Sequence, residues 1–127
     1  LTWAQHHVGD PYVFGATGPH AWDCSSFTQA AYAHIGVTLP RTAGAQRNWL
    51  AAGHGFRVPA GQEQAGDLLF VDSYLGPNQI GHVMIVHNPA NQLTIEAGGD
   101  RVGTYDYSHR AATTIYEFWR VGSTPAH

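Results

Sequence analysis

Asp23-Cys24-Ser25-Ser26-Phe27-Thr28-Gln29-Ala30-Ala31-Tyr32-Ala33-His34-Ile35-Gly36 is the stretch on which the reading of this chain turns. Asp23 has the short acceptor side chain of a helix N-cap. Cys24, Phe27, Ala31 and Ile35 recur at helical spacing as an apolar stripe, and Gly36 is a C-terminal stop. The only cysteine of the chain therefore falls in the first turn of an amphipathic helix. The partly positive end of a helix stabilises an anion, so a thiol placed there readily becomes a thiolate. A lone cysteine in neutral surroundings reads as a small buried hydrophobe. Here an Asp before it and two serines after it are poor core company. A histidine brought from elsewhere in the fold would complete a nucleophile–base pair.

Working outward, Thr2 to Val8 reads as a short helix stopped by Gly9-Asp10-Pro11. Tyr12-Val13-Phe14-Gly15 reads as a brief extended piece, and Ala16 to Trp22 as a loop. A further helix follows Leu39-Pro40-Arg41, capped by Thr42 and ending at Gly53. Beyond Pro59 the pattern changes to strands. Leu68 to Val71 follows a Gly66-Asp67 turn, and Arg101 to Gly103 and Ile115 to Val121 supply two more. His82 to His87 and Leu93 to Ala97 flank the turn-rich Asn88-Pro89-Ala90-Asn91-Gln92 and read as a hairpin. Helices first and strands second predict an α+β fold, with N-terminal helices packed on a central antiparallel sheet.

That hairpin pairs His87 with Leu93, Val86 with Thr94, Ile85 with Ile95 and Met84 with Glu96. Side chains alternate along a strand, so His82 shares a face with Thr94 and Glu96. Glu96 is then one diagonal step from His82, about 7–8 Å between backbones and within reach of two extended side chains. A carboxylate there accepts the imidazole N–H, fixes the tautomer and stabilises the imidazolium. A slip of one residue would put Glu96 on the opposite face. His87 is the competing base, but it has the other parity. Asn88, Asn91 and Gln92 are the alternative orienters if the loop folds back.

With 127 residues the chain is sized for one domain, read as 1–127, with a core that needs no staples. Apolar residues make up 43% and charged residues 12%. A net charge of −3 provides no electrostatic footprint for nucleic acid or an anionic membrane. No apolar run approaches membrane-spanning length, and the chain begins too abruptly to carry a signal peptide, which leaves open a leader or neighbouring domain outside these residues. One cysteine cannot form an internal disulfide, so cysteine usage says nothing of compartment. All six basic residues are arginines, a bias of composition without mechanistic content. Nine histidines raise the question of metal. None has a His-Glu-x-x-His or paired-cysteine context, so neither a metal site nor a cofactor is expected.

Together these residues resemble the NlpC/P60 family of bacterial cell-wall cysteine peptidases, which have a papain-like α+β fold. The resemblance runs from Gly9 to about Val121. It rests on Gly9-x-Pro11-Tyr12-Val13-Phe14-Gly15, Asp23-Cys24-Ser25, Leu39-Pro40-Arg41-Thr42 followed by Gln46, Gly66-Asp67-Leu68 and Gly81-His82-Val83. Each is weak alone, but five in order are specific. The resemblance implies Cys24 as nucleophile, His82 as general base and Glu96 as orienter, at a position where members carry His and in some cases Asn, Gln or Glu. It implies a role for Tyr12 near the nucleophile, in binding substrate or the oxyanion, with Asp23 and Ser25 beside it. The backbone N–H of Cys24 is the expected oxyanion donor.

Two departures stand out. Ser26 replaces the usual Gly, and Gly15-Ala16-Thr17-Gly18-Pro19 replaces the usual Gly-Gly-x-x-Pro, with His20 and Trp22 in the loop that follows. The implied function is a secreted or extracytoplasmic, monomeric endopeptidase acting on peptidoglycan stem peptides, by resemblance at the γ-D-glutamyl–diamino-acid amide. Other readings remain open: an amidase or acyltransferase with the same Cys–His pair, a non-catalytic wall-binding module, or an antibacterial effector aimed at a competitor's wall.

Overall fold

The computed structural model describes residues 2–18, 20–72, 80–98, 101–107 and 115–122. It is an α+β fold in which three helices precede most of the sheet: α1 (Thr2–Gln5), α2 (Cys24–Ala33) and α3 (Ala43–Trp49). The six strands are β1 (Gly55–Val58), β2 (Leu68–Asp72), β3 (Ile80–Asn88), β4 (Leu93–Gly98), β5 (Arg101–Asp106) and β6 (Tyr116–Val121). They lie in the order β1-β6-β2-β3-β4-β5, with every neighbouring pair antiparallel.

The sheet is buried on both faces. Against the helices it presents Leu68, Phe70, Val83, Ile85, Ile95, Ala97 and Trp119, which enclose Phe27, Leu39 and Ala43. Alternation sends Leu69, Val71, Met84, Val86 and Phe118 to the opposite face, where they pack with Val58 and Tyr107. This explains why β2 reads as a continuous apolar run with no visible alternation.

Several expectations need correction. The first helix stops at Gln5, not Val8. Beyond it His6, His7 and Val8 make i→i−3 bonds to Trp3, Ala4 and Gln5, a tighter turn that feeds into Gly9. The stripe of α2 loses Ile35, which is 70% exposed. The helix has already ended at Ala33, and the Val37 N–H closes back on the Tyr32 carbonyl at 3.0 Å. Gly36, at φ +83°, makes the reversal, and Val37 packs against the core in place of Ile35. The α3 helix is capped by Thr42 as expected but ends at Trp49. A wider turn, Leu50–His54, carries the chain on and is broken at Gly53, where the expected helix was to end and whose φ of +120° is not helical. Strand β1 begins before Pro59, where no strand was expected, because a four-residue edge segment takes its regularity from pairing with β6.

The hairpin of β3 and β4 has the expected pairs Ile85–Ile95 and Val86–Thr94. His87 does not pair with Leu93. Asn88 takes that partner, and His87 is the extra residue of a bulge. The free edge of β5 is covered by the N-terminal strap. The Gly9 N–H bonds the Val102 carbonyl (2.8 Å), and the Val102 N–H bonds that of Asp10 (2.7 Å). This strap delivers Pro11 and Tyr12 beside Trp22, at the entry to α2. The extended piece then ends at Val13, and Phe14 and Gly15 form a turn.

Candidate active site

Cys24 is the first residue of α2, and Asp23 is its N-cap with extended backbone. The Asp23 Oδ1 accepts the Ser26 N–H at 2.8 Å, and the Ser26 hydroxyl accepts the Asp23 N–H at 3.0 Å. This is a reciprocal capping box. Ser26 thus completes the cap that starts the helix. It is only 2% exposed, so it belongs to the helix start and not to an open surface.

Five hydrogen bonds converge on the Asp23 carboxylate. Besides Ser26, its Oδ1 accepts from the Ser25 hydroxyl (3.3 Å) and Arg41 Nη1 (3.2 Å), while its Oδ2 accepts from Arg41 Nη2 (2.7 Å) and the Gly15 N–H (3.2 Å). Burial alone would push this carboxyl up, but the Arg41 guanidinium and the Ser26 hydrogen bonds hold it below the usual carboxylate range. Gly15 offers its N–H from a left-handed conformation, φ +82°, which ties the Tyr12-to-Gly15 turn to the helix cap. Gly18 is also required by space, since a Cβ there would lie 2.4 Å from the Trp22 ring.

His82 comes from the start of β3. Opposite it, β2 pairs Val71 with His82 and Asp72 with Ile80, so Gly81 is skipped in a local bulge. Such a bulge raises the twist and re-aims the strand end, which turns the imidazole toward the N-terminus of α2. The ring hydrogen-bonds the Cys24 side chain. Its Nε2 lies 2.7 Å from Glu96 Oε1, leaving Nδ1 as the nitrogen for the sulfur. Glu96 is 2% exposed, and its second oxygen accepts from the Thr94 hydroxyl. Burial disfavours an imidazolium, yet the hydrogen bonds and negative charges of Cys24 and Glu96 outweigh it and push His82 up to about 9.

The structure brings Cys24, His82 and Glu96 together. Ser25 is buried, with its hydroxyl turned to Asp23 and Arg41. Tyr12 is partly buried against the core cluster that contains Cys24 and Trp22. His87 and its bulge sit at the opposite end of β3. The Asn88 side chain accepts the Asn91 N–H at 3.1 Å and stays in the turn. Thr94 was expected on the face of His82 and Glu96 but with no role, and Arg41 and Gln46 were expected only as parts of a motif, with no contact assigned to either. Thr94 lies two residues before Glu96 on the same strand, so parity was a usable signal for it. The contact of Arg41 with Asp23 had none, because it spans 18 positions. Among the described residues no group of three or more His, Cys, Asp or Glu could hold a metal ion. No helix of the described residues is long and apolar enough to cross a membrane.

The sequence model of the NlpC/P60 family matches residues 9–120. The chain belongs to the NlpC/P60 family. A relative from Listeria seeligeri, a probable endopeptidase p60, is 37% identical over 106 residues, covering 84% of this chain but 18% of the relative. A γ-D-glutamyl-L-lysine dipeptidyl-peptidase from Bacillus cereus is 30% identical over 96 residues, covering 70% of this chain and 27% of that protein. The crystal structure of the NlpC/p60 domain of the peptidoglycan hydrolase SagA superposes with a TM-score of 0.73 at 27% identity, covering 95% of this chain and 93% of that domain. The chain thus spans less than a fifth of the p60 relative yet nearly the whole of the isolated NlpC/P60 domain.

Proposed function

We propose that this NlpC/P60 domain is a cysteine peptidase that hydrolyses an amide bond in peptidoglycan stem peptides, outside the cytoplasm. The observation that carries the reading is the position of His82, hydrogen-bonded on one side to Cys24 and on the other to Glu96. His82 takes the thiol proton and pairs as imidazolium with the Cys24 thiolate. The sulfur attacks the amide carbonyl, and the Cys24 backbone N–H, at the head of α2, donates to the oxyanion. The intermediate collapses as His82 passes its proton to the departing amine, leaving a thioester on Cys24. Water then adds to the thioester with His82 as base, and release of the carboxylic acid restores the thiol. Glu96 and Thr94 keep the imidazole oriented throughout, Tyr12 lies on the substrate side of the cleft, and Asp23 and Ser25, buried and bonded to each other and to Arg41, act by holding the start of α2 and not by touching substrate.

The bond we favour is the γ-D-glutamyl–diamino-acid amide, supported by the name of the Bacillus cereus relative. Mass spectrometry of purified muropeptides after incubation tests activity and names the bond together. Cleavage after γ-D-glutamate by wild type, with Cys24→Ala folded and reduced by more than about a thousandfold, is the expected result. A Cys24→Ala protein that kept several per cent of the activity would sink the mechanism. Release of a different fragment would keep the mechanism and change the bond.

A further inference from the structure

A carboxylate cap one residue before a sulfur that must become an anion is an electrostatic liability, because like charge nearby disfavours the charged form. The helix itself needs an acceptor at that position, not a charge, since Asn or Ser caps serve as well. Arg41 lies 18 positions away in sequence, just before the N-cap of α3. Its guanidinium spans both neighbours of Cys24, with Nη2 at 2.7 Å and Nη1 at 3.2 Å from the Asp23 carboxylate, and Nη1 at 2.9 Å from the Ser25 hydroxyl. The loop that carries it is clamped in turn. Gln46 is fully buried, and its amide donates to the Pro40 carbonyl and to the Ser25 carbonyl, each at 3.0 Å.

We propose that Arg41 is a positioning residue for the chemistry of Cys24, cancelling the Asp23 charge and gripping the residues on either side of the sulfur so that a charged cap and a reactive thiolate coexist. The inference rests on the reading of Cys24 as nucleophile. Hydrogen bonding to Asp23 holds the Arg41 guanidinium above its ordinary value against the effect of burial, and the negative charges of Asp23 and Cys24 add to it. The guanidinium therefore lies within electrostatic reach of the sulfur.

The test is the rate of Cys24 alkylation by iodoacetamide at pH 6, with circular dichroism to confirm folding. Arg41→Gln should slow alkylation by about tenfold, because it leaves the Asp23 carboxylate uncancelled. The double variant Asp23→Asn/Arg41→Gln should return to within about threefold of wild type, since it removes both charges and keeps an amide oxygen to cap the helix. If Arg41 merely braced the fold, the double variant would be as slow as Arg41→Gln or slower, and that result overturns the proposal. So does a wild-type rate in Arg41→Gln. Asp23→Asn alone supplies an arm that does not depend on the folding of Arg41→Gln: alkylation should quicken by about two- to tenfold with Arg41 unopposed, and an unchanged or slower rate is contrary. A fast wild-type thiol with no effect of these charges sinks the Arg41 role and spares the nucleophile. A wild-type thiol no faster than a free one, with hydrolysis retained in Cys24→Ala, sinks the nucleophile itself.

Discussion

At the scale of single residues, the site is two short polar relays that meet at Cys24. One runs from Thr94 through Glu96 to His82, and the other from Gln46 and Arg41 to Asp23 and Ser25. His82 is pushed up to about 9, and this has a consequence for activity in the proposed mechanism. His82 must be protonated to release the amine, so kcat/KM should fall as pH rises through about 9. Glu96→Gln removes the negative charge that helps hold the proton, so its alkaline limb should move to lower pH. The amide oxygen still accepts the imidazole N–H, so Glu96→Gln should be more active than Glu96→Ala, which should lose about ten- to a thousandfold. An unshifted alkaline limb in Glu96→Gln would separate Glu96 from the titration of His82. The same raised value bears on stability. The stabilisation from this proton is complete below the ordinary imidazole value near 6.5 and is lost as pH climbs through about 9.

At the scale of elements, the start of α2 is over-determined, and its end is not. Residues 24 to 28 are all buried, whereas Ala30, Ala31 and Tyr32 of the last turn are only partly buried against the core and Ala33 is exposed. The capping box made with Ser26 is a specific local term that substitution can remove without touching the sulfur. Ser26→Ala removes the shorter of two bonds made by the Asp23 N–H, which keeps the Ala16 carbonyl at 3.3 Å, and should cost about 1 kcal/mol of unfolding free energy by urea titration. Ser26→Gly removes the same hydroxyl and adds the backbone freedom of glycine. Its cost should therefore be at least as large as that of Ser26→Ala. A loss below about 0.3 kcal/mol in both would mean that the box carries no stability.

At the scale of the whole molecule, ion pairs join parts of the chain that are distant in sequence. Arg120 of β6 grips Asp67, just before β2, through two bonds of 2.8 and 2.9 Å, and Arg47 of α3 reaches Glu117 of β6 at 3.1 Å. Asp67 is 2% exposed, so removal of Arg120 would leave a buried carboxylate without its cation. Arg120→Ala should lower stability by about 3 kcal/mol, seen as a shift of the urea midpoint at constant m-value. Arg47→Ala, at a more exposed pair, should cost about 1 kcal/mol or less. Equal effects would contradict the difference in burial.

The local sequence determined much of this protein by itself. The Asp23 cap, the helix behind it, the Thr42 cap of α3, and the hairpin that pairs Ile85 with Ile95 are all legible, because each depends on residues within a few positions of one another. The same hairpin register put Glu96 within reach of His82, so that contact too was foreseeable from parity. Beyond that the outcome belongs to the tertiary structure. The early end of α2, the exposure of Ile35, the edge strand β1 and the bulge at His87 were decided by which surfaces pack and which strands pair. The approach of His82 to Cys24 spans the molecule and depends on the irregularity beside Gly81. Arg41 reached Asp23 only because α3 docks on the sheet and Gln46 pins the intervening loop. Contacts that close long loops depend on the whole packed core and leave no periodic trace in the chain, so only the assembled fold reveals them.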